Sequence, residues 1–529
     1  MSILRINFKF HALLLTLALT GAACGGSTPP GSSEPEAPGT TEPVEPGPGP
    51  ESPPQPPTEP PPPEPQKDTE APVITLTSPS ADTRPSTWRV QLTGTVTDAS
   101  GIAFIGWKLN ADTAHGEREP QGATRHELSV ELKPRPGLNT LVLVSRDIHG
   151  NEREQTVSFL FGTQTGAGGL HSGVIREGTL YTWGRNNRGQ LGHGGTTDTN
   201  APVKVTVLSD VATLVIAQNN SLALRADGSV YTWGDNGSGQ LGIGRPGPPD
   251  TLPRDIPTRV PGISDAVMAA IGYTHMLVLH RDGHVSAFGK NNNGQLGDGT
   301  TEDKTYPVPV RGLTDVVRVL GGSQHSAALR ADGTVWVWGR NSYGNLGSGA
   351  ADADNHPEPV RVPGLTDVVD IANGRDHVLA LHRDGTLSAW GLNASGQLGD
   401  GQGGKDSQRA TPAPVQAITD AISVHAQGNM SFARRRDGSL WGWGQNFNGQ
   451  LGTGDTTELS VPTTPVLLRV APAEPLLGLA DVTPGATHVV ALHPDGTVYT
   501  WGWSAKGSLG RADLLENWAY PLPQRVVLP

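Results

Sequence analysis

Histidines recur at one place in a repeating unit. His275, His325, His377 and His488 each open a short apolar run such as His325-Ser326-Ala327-Ala328-Leu329. Imidazoles ligate metals or move protons, but both uses need side chains that converge on one point. One histidine per repeat is spread out by symmetry, so the expectation is a repeated structural hydrogen bond, with no metal, no cofactor and no catalytic set. Two glycine strings invite a nucleotide reading. The Gly-x-Gly-x-x-Gly at 242–247 is followed by Pro248 and Pro249, so no helix opens behind it to hold a phosphate. The string 399–405 approaches a phosphate-binding loop, yet Asp406 stands where a Ser or Thr would hold magnesium, and its carboxylate repels phosphate. Asp98 and Asp147 suit calcium as loop carboxylates; capping their own turns is the expected use. Cys24 is the single cysteine, which leaves no disulfide, and there is no Gly-x-Ser-x-Gly elbow for nucleophilic catalysis.

The elements that carry these residues follow from a beat of aromatic-Gly pairs, whose glycines are Gly184, Gly234, Gly289, Gly339, Gly391, Gly444 and Gly502. The intervals are 50, 55, 50, 52, 53 and 58 residues, which marks a repeat array. Each unit reads as four short β runs. In the fourth these are Pro307-Val308-Pro309-Val310, Asp315-Val316-Val317, the His325 run and Val335-Trp336-Val337-Trp338. An Asp-Gly pair separates the last two runs in six units, as at Asp332, and Glu177-Gly178 replaces it in the first; such pairs mark tight hairpins. Four strands in about 50 residues fill one propeller blade and leave no room for a crossover helix. The expected fold is therefore all-β, with a seven-bladed β-propeller over 163–529. An open ring would leave sheet edges unpaired, and the first unit lacks a Pro-x-x-Val strand. The tail at 520–528 is expected to supply it, building the first blade from both chain ends. The Trp-x-Trp pairs, such as Trp336 with Trp338, are expected to pack between blades.

From 325 to 347 the His-Ser-x-Ala-Leu strand, the Asp-Gly turn, Trp-Gly, Asn and the Gly-x-Leu-Gly turn stand in order. This pattern resembles the regulator of chromosome condensation repeat family, whose members are seven-bladed propellers. Departures are Asn220 and Met430 at the histidine position and Phe288 for the repeating Trp. The resemblance implies, as one alternative function, guanine-nucleotide exchange on a small GTPase. No long inserted wedge that could pry a nucleotide loose is visible. Asp-Gly followed by Trp is also similar to the aspartate box of sialidase propellers, although there a residue separates Asp from Gly; this gives a second, glycoside-hydrolysing alternative.

Ahead of the repeats, Arg5 and Lys9 precede an apolar run at 12–19 and small residues at 21–23. Residues 1–23 thus read as a secretory signal, too short to span a bilayer once mature. Small residues followed by Cys24 are similar to bacterial lipoproteins, with Gly21 departing from the expected leucine; the resemblance implies a lipid on Cys24. Residues 27–66 hold seven Glu and no basic residue among Pro, Gly, Ser and Thr, so they bury no core and are expected to stay disordered. At about 3.1 Å per residue, roughly 40 residues reach on the order of 100 Å, making 24–70 a stalk. Residues 71–162 alternate apolar and polar positions, as at Val90, Leu92 and Val96. Turns are expected at 98–101 and 147–151. This module resembles bacterial immunoglobulin-like domains and is expected to be a small β-sandwich.

The net charge of −12 disfavours nucleic acid, which wants clustered Lys and Arg. The units vary most after the Gly-x-Leu-Gly turn, at 245–255, 350–358, 400–411 and 453–475. Loops on a rigid scaffold concentrate recognition residues, here Arg245, Asp255, Asp352, Asp354, His356, Lys405 and Asp406. The expectation is a monomeric, non-enzymatic binding or adhesion scaffold, exported and lipid-anchored in the cell envelope, in the outer membrane or at the cell surface. Its expected partner is a protein or glycan, besides the membrane reached through the lipid.

Overall fold

In a computed structural model, residues 68–80, 85–110, 115–456, 466–467, 469–471 and 474–529 are described. The expected leader, Cys24 and the Pro-rich stretch up to Gln66 lie outside them.

From Thr165 to Val526 the described residues form seven four-stranded antiparallel sheets. The fourth shows how sequence becomes blade. Its innermost strand Val316–Gly321 pairs with His325–Arg330, which pairs with Val335–Arg340 and then with Asn355–Arg361. Between the second and third strands Asp332 accepts the Thr334 N–H (3.0 Å) and hydroxyl (2.6 Å), and Gly333 takes φ 78°. That positive φ is why glycine follows the aspartate.

The Pro-Val run after each Gly-x-Leu-Gly turn closes the blade it follows and does not open the next one. Lys304–Pro309 pairs with Val285–Gly289. Proline has no N–H to give to a ladder, so these runs sit at the outer edge of a sheet. The same phase shift corrects the closure scheme. Ala519–Val526 pairs with Val498–Trp503 and completes the seventh blade. The first blade is contiguous, from Thr165–Ala167 through Thr199–Lys204.

The ring closes through contacts between neighbours. Asp481, on the innermost strand of the last blade, accepts the N–H of Gln164 and of Thr165 at 2.6 and 3.0 Å. The tryptophans of the aromatic-Gly beat also hold the seams. The indole of Trp338 donates to the Gln295 carbonyl of the preceding blade (2.9 Å), and Trp183 reaches Ser508 of the last blade (2.9 Å). Trp338, Trp443 and Trp501 are fully buried, whereas Trp336 and Trp441 are half-buried under Arg330 and Arg435. The glycine after each aromatic residue is required. Gly339 has φ 102°, and a Cβ there would stand 2.6 Å from the Gln324 carbonyl oxygen.

The N-terminal module is a six-stranded antiparallel sheet arranged around Val90–Leu109. The turn expected at 98–101 is instead a passage within this one strand. Before it the strand pairs with Val73–Ser78 and Ala123–Leu132, and after it with Gly137–Asp147. Asp98 steers the chain by accepting the N–H of Ser100 and of Gly101. Leu92, Val96, Ile105, Leu141 and Phe159 form the module's own core.

This module docks on the propeller. Trp88 is buried among propeller residues that include Val319 and Ile371, and its indole donates to the Val316 carbonyl (2.8 Å). Arg318 donates to the Ser86 carbonyl (2.8 Å). A buried indole removes roughly 150–250 Å² from water, and here its N–H is satisfied.

Candidate functional site

Antiparallel neighbours fix which loops share an end of the propeller. The Asp-Gly turns and the links between blades lie at one end, since the Val316 N–H donates to the Gly283 carbonyl. Trp88 and Arg318 place the N-terminal module at that same end. The links between first and second strands, and the Gly-x-Leu-Gly turns with the variable loops behind them, lie at the other. There Gly194 donates to the Asp255 carbonyl of the next blade (3.0 Å). The loops chosen from sequence therefore share the rim turned away from the module, among the described residues.

Their side chains divide into two groups. Arg245, Asp255, Asp354, Lys405 and Asp406 are exposed. Asp255 also ties neighbouring loops by accepting the Gly195 N–H at 2.7 Å. Asp352 and His356 are half-buried and bonded to each other at 2.9 Å, and Asp352 takes the Asn341 amide at 2.6 Å. These two hold the loop's shape. Burial would raise the Asp352 pKa, but the bonds from His356 and Asn341 hold the carboxyl below its usual range. Part of the fourth loop, at 457–465, 468 and 472–473, lies outside the described residues.

Sequence reasoning missed the apolar side chains of this rim. Leu252, Tyr343, Phe447, Leu515 and Trp518 are all exposed, and all lie between third and fourth strands. A signal was present: Tyr343 and Phe447 occupy the variable positions of an Asn-x-x-Gly turn whose Asn and Gly repeat.

The histidines do not converge. His275 bonds Ser326 of the next blade (2.9 Å), His377 bonds Ser431 (2.9 Å) and His171 bonds Ser221 (3.1 Å). The Ser326 hydroxyl donates to the Gln295 carbonyl (2.8 Å), the acceptor that Trp338 also uses. Burial pushes the histidines far below their usual range, to about 3 for His171, His275 and His377. They are neutral wall fittings, present in five of the seven blades, with Asn220 and Met430 in the other two. In the N-terminal module Asp147 accepts the N–H of His149 (2.9 Å) and of Asn151 (2.7 Å). Its ligand atoms lie within 4.8 Å of those of Asp68 and His149, but both Asp147 oxygens are taken, the second by the Asn151 amide.

Residues 105–428 match the family model for the RCC1-like domain, and residues 437–492 match that for the regulator of chromosome condensation (RCC1) repeat. The first match begins inside the N-terminal sheet, ahead of the first propeller strand. The chain is 33% identical over 162 residues to the ultraviolet-B receptor UVR8 of Arabidopsis thaliana, covering 30% of this chain and 34% of the receptor. It is 33% identical over 152 residues to protein pim1 of Schizosaccharomyces pombe, covering 28% of each. The alignments thus span about a third or less of these relatives. Among solved structures, yeast RCC1 (Prp20) in complex with Kap60 superposes with a TM-score of 0.58 at 22% identity, over 66% of this chain and 83% of that one. Human WBSCR16 gives 0.57 at 22% identity, over 66% and 95%. With a family match over more than half its length and the blade geometry described above, the chain belongs to the RCC1-like domain family.

Proposed function

We propose that this protein is an exported, lipid-anchored binding scaffold of the cell envelope, without enzymatic activity, that recognises a protein or glycan through one rim of its propeller. The observation that carries the reading is the division of the two ends. The N-terminal module occupies the Asp-Gly end through Trp88, while the loops that vary in length project from the other. Exposed Leu252, Tyr343, Phe447 and Trp518 on that rim support it further, since aromatic residues are enriched where proteins bind partners. The leader, the acylated Cys24 and the stalk at 24–70 belong to the same reading and rest on sequence. The immunoglobulin-like assignment of 71–162 does too, and makes the module a spacer that orients the wheel.

Two measurements test it. Fractionation with protease shaving of whole cells should release the propeller from an envelope fraction, whereas recovery in the cytoplasm would refute the anchored reading. Fluorescent protein titrated onto intact cells and glycan arrays should bind, and shortening the loops at 245–255, 350–358 and 400–411 should abolish binding. Equal binding by the shortened protein would refute the rim.

A further inference from the structure

The innermost strands enclose a cavity of about 260 Å³ that the rim reading does not use. Ser86, Phe161 and Gly162 bound it at one end, so the N-terminal module forms its floor. At the other it reaches Ile271, Asn373 and Gln427, residues that end or nearly end their strands on the loop-bearing side. The space is a well with the N-terminal module lining one end.

Its wall has two chemistries. Val215, Met268 and Leu320, from three consecutive blades, are apolar and half-buried, whereas Arg318 and Arg434, the latter also donating to the Leu479 carbonyl (2.6 Å), flank the neutral His425 in a basic arc beside Ser423. The carboxylates nearby are already committed. Asp481 accepts two backbone N–H groups. Asp370 accepts the Ile371 N–H (2.8 Å) and lies 3.0 Å from Arg318. Its second oxygen has no partner, and burial pushes its carboxyl up, toward the form that does not repel an anion. A guanidinium carries five N–H donors, and the Nε of Arg318 has no acceptor. Asn373 is 6% exposed, yet neither its amide oxygen nor its nitrogen has a partner. Burial first, then Arg318 and Arg434, holds His425 down to about 3.

We propose that this well binds a small organic carboxylate, with its anionic end on the arc of Arg318, His425 and Arg434 and its apolar body against Val215, Met268 and Leu320. A charge-assisted contact rewards the carboxylate over a neutral acceptor, and the opposite wall rewards carbon buried from water.

The full chain is titrated by calorimetry with butyrate, hexanoate and benzoate, and with the three matching primary amides. At least one acid should bind saturably, about ten-fold or more tighter than its amide, as loss of one charge-assisted bond implies. Arg434→Gln should remove that preference. Val215→Trp, which fills the well without touching the basic arc, should abolish binding while circular dichroism reports a folded protein. The loop-shortened protein should bind the acid as the intact chain does, which separates this site from the rim. Absence of saturable heat with all three acids, or equal affinity for acid and amide, would overturn the proposal.

Discussion

His488 and Ser172 stand 316 positions apart in the chain and 2.7 Å apart in the fold. This bond joins the last blade to the first, and it has the same form as His275 to Ser326 and His377 to Ser431 inside the ring. The ring thus closes with a fitting it uses at three of its other seams, and needs no strand exchanged between its ends. Ser172 also donates to the Ser508 carbonyl (2.8 Å). Replacing Ser172 with Ala leaves the buried His488 ring nitrogen unpaired, while the Ser508 carbonyl keeps the Trp183 indole as donor, at a cost of about 1–3 kcal/mol. Urea unfolding should show the loss, and hydrogen exchange should rise in the first and last blades before the fourth.

Gly510 reports the same seam by a steric route. A Cβ there would lie 2.8 Å from the Trp183 Nε1, at φ 67°, whereas at Gly262, with φ 77°, it would meet nothing within 4 Å. Gly262→Ala should cost only the left-handed penalty of about 1–2 kcal/mol. Gly510→Ala should cost more, because the indole must move from its carbonyl. Equal shifts in denaturation midpoint would contradict this.

Removal of residues 519–529 tests the corrected strand order. The melting temperature should fall, with exchange rising along Val498–Trp503, which loses its outer partner. Protection should persist along Thr179–Gly184, whose outer partner is Thr199–Lys204. Exchange rising first in the first blade would restore the two-ended scheme.

Acid should loosen the ring. The histidines of the seams have pKa values of about 3 for His171, His275 and His377 and about 4 for His325 and His488, against an ordinary 6.5. Because the folded values are depressed, their contribution is whole above pH 6.5 and is lost as pH falls toward 4 and then 3, while the unfolded chain takes up protons. Asp370 and Asp481, raised by burial, protonate more readily in the folded state and partly offset the loss. Urea midpoints should be lower at pH 5 than at pH 7.5. His275→Asn, which copies Asn220 at the same place in the second blade, should shrink the difference.

The period, the Asp-Gly hairpins and the four-strand content of a blade were legible because each depends on local chemistry repeated many times. The phase of the repeat was not. A cyclic pattern has no intrinsic first strand, and the one local clue, proline at Pro257, Pro307 and Pro357, speaks of a sheet edge without saying which blade owns it. Trp88 was illegible for the opposite reason: it occurs once, in a short Ser/Thr-rich stretch, and its partner Val316 lies 228 residues away. The rim loops could be chosen by their variable length. Their exposed aromatics are hard to see because Tyr343 and Phe447 sit inside a motif that reads as structure, while Asp352 and His356, polar and in a variable loop, bond each other instead of facing a partner. The well stayed hidden because Arg318, Asp370 and His425 lie singly on three different strands.

Whether the loop-bearing rim is the binding face can be read with two photo-crosslinking residues on the full chain, one at Tyr343 and one at Arg383. Both positions are exposed; the first lies on the loop-bearing rim and the second beside an Asp-Gly turn on the opposite end. On illumination against intact cells or an isolated envelope fraction, rim recognition predicts one specific adduct from position 343 and none from position 383. The same adduct from position 383 alone would contradict it.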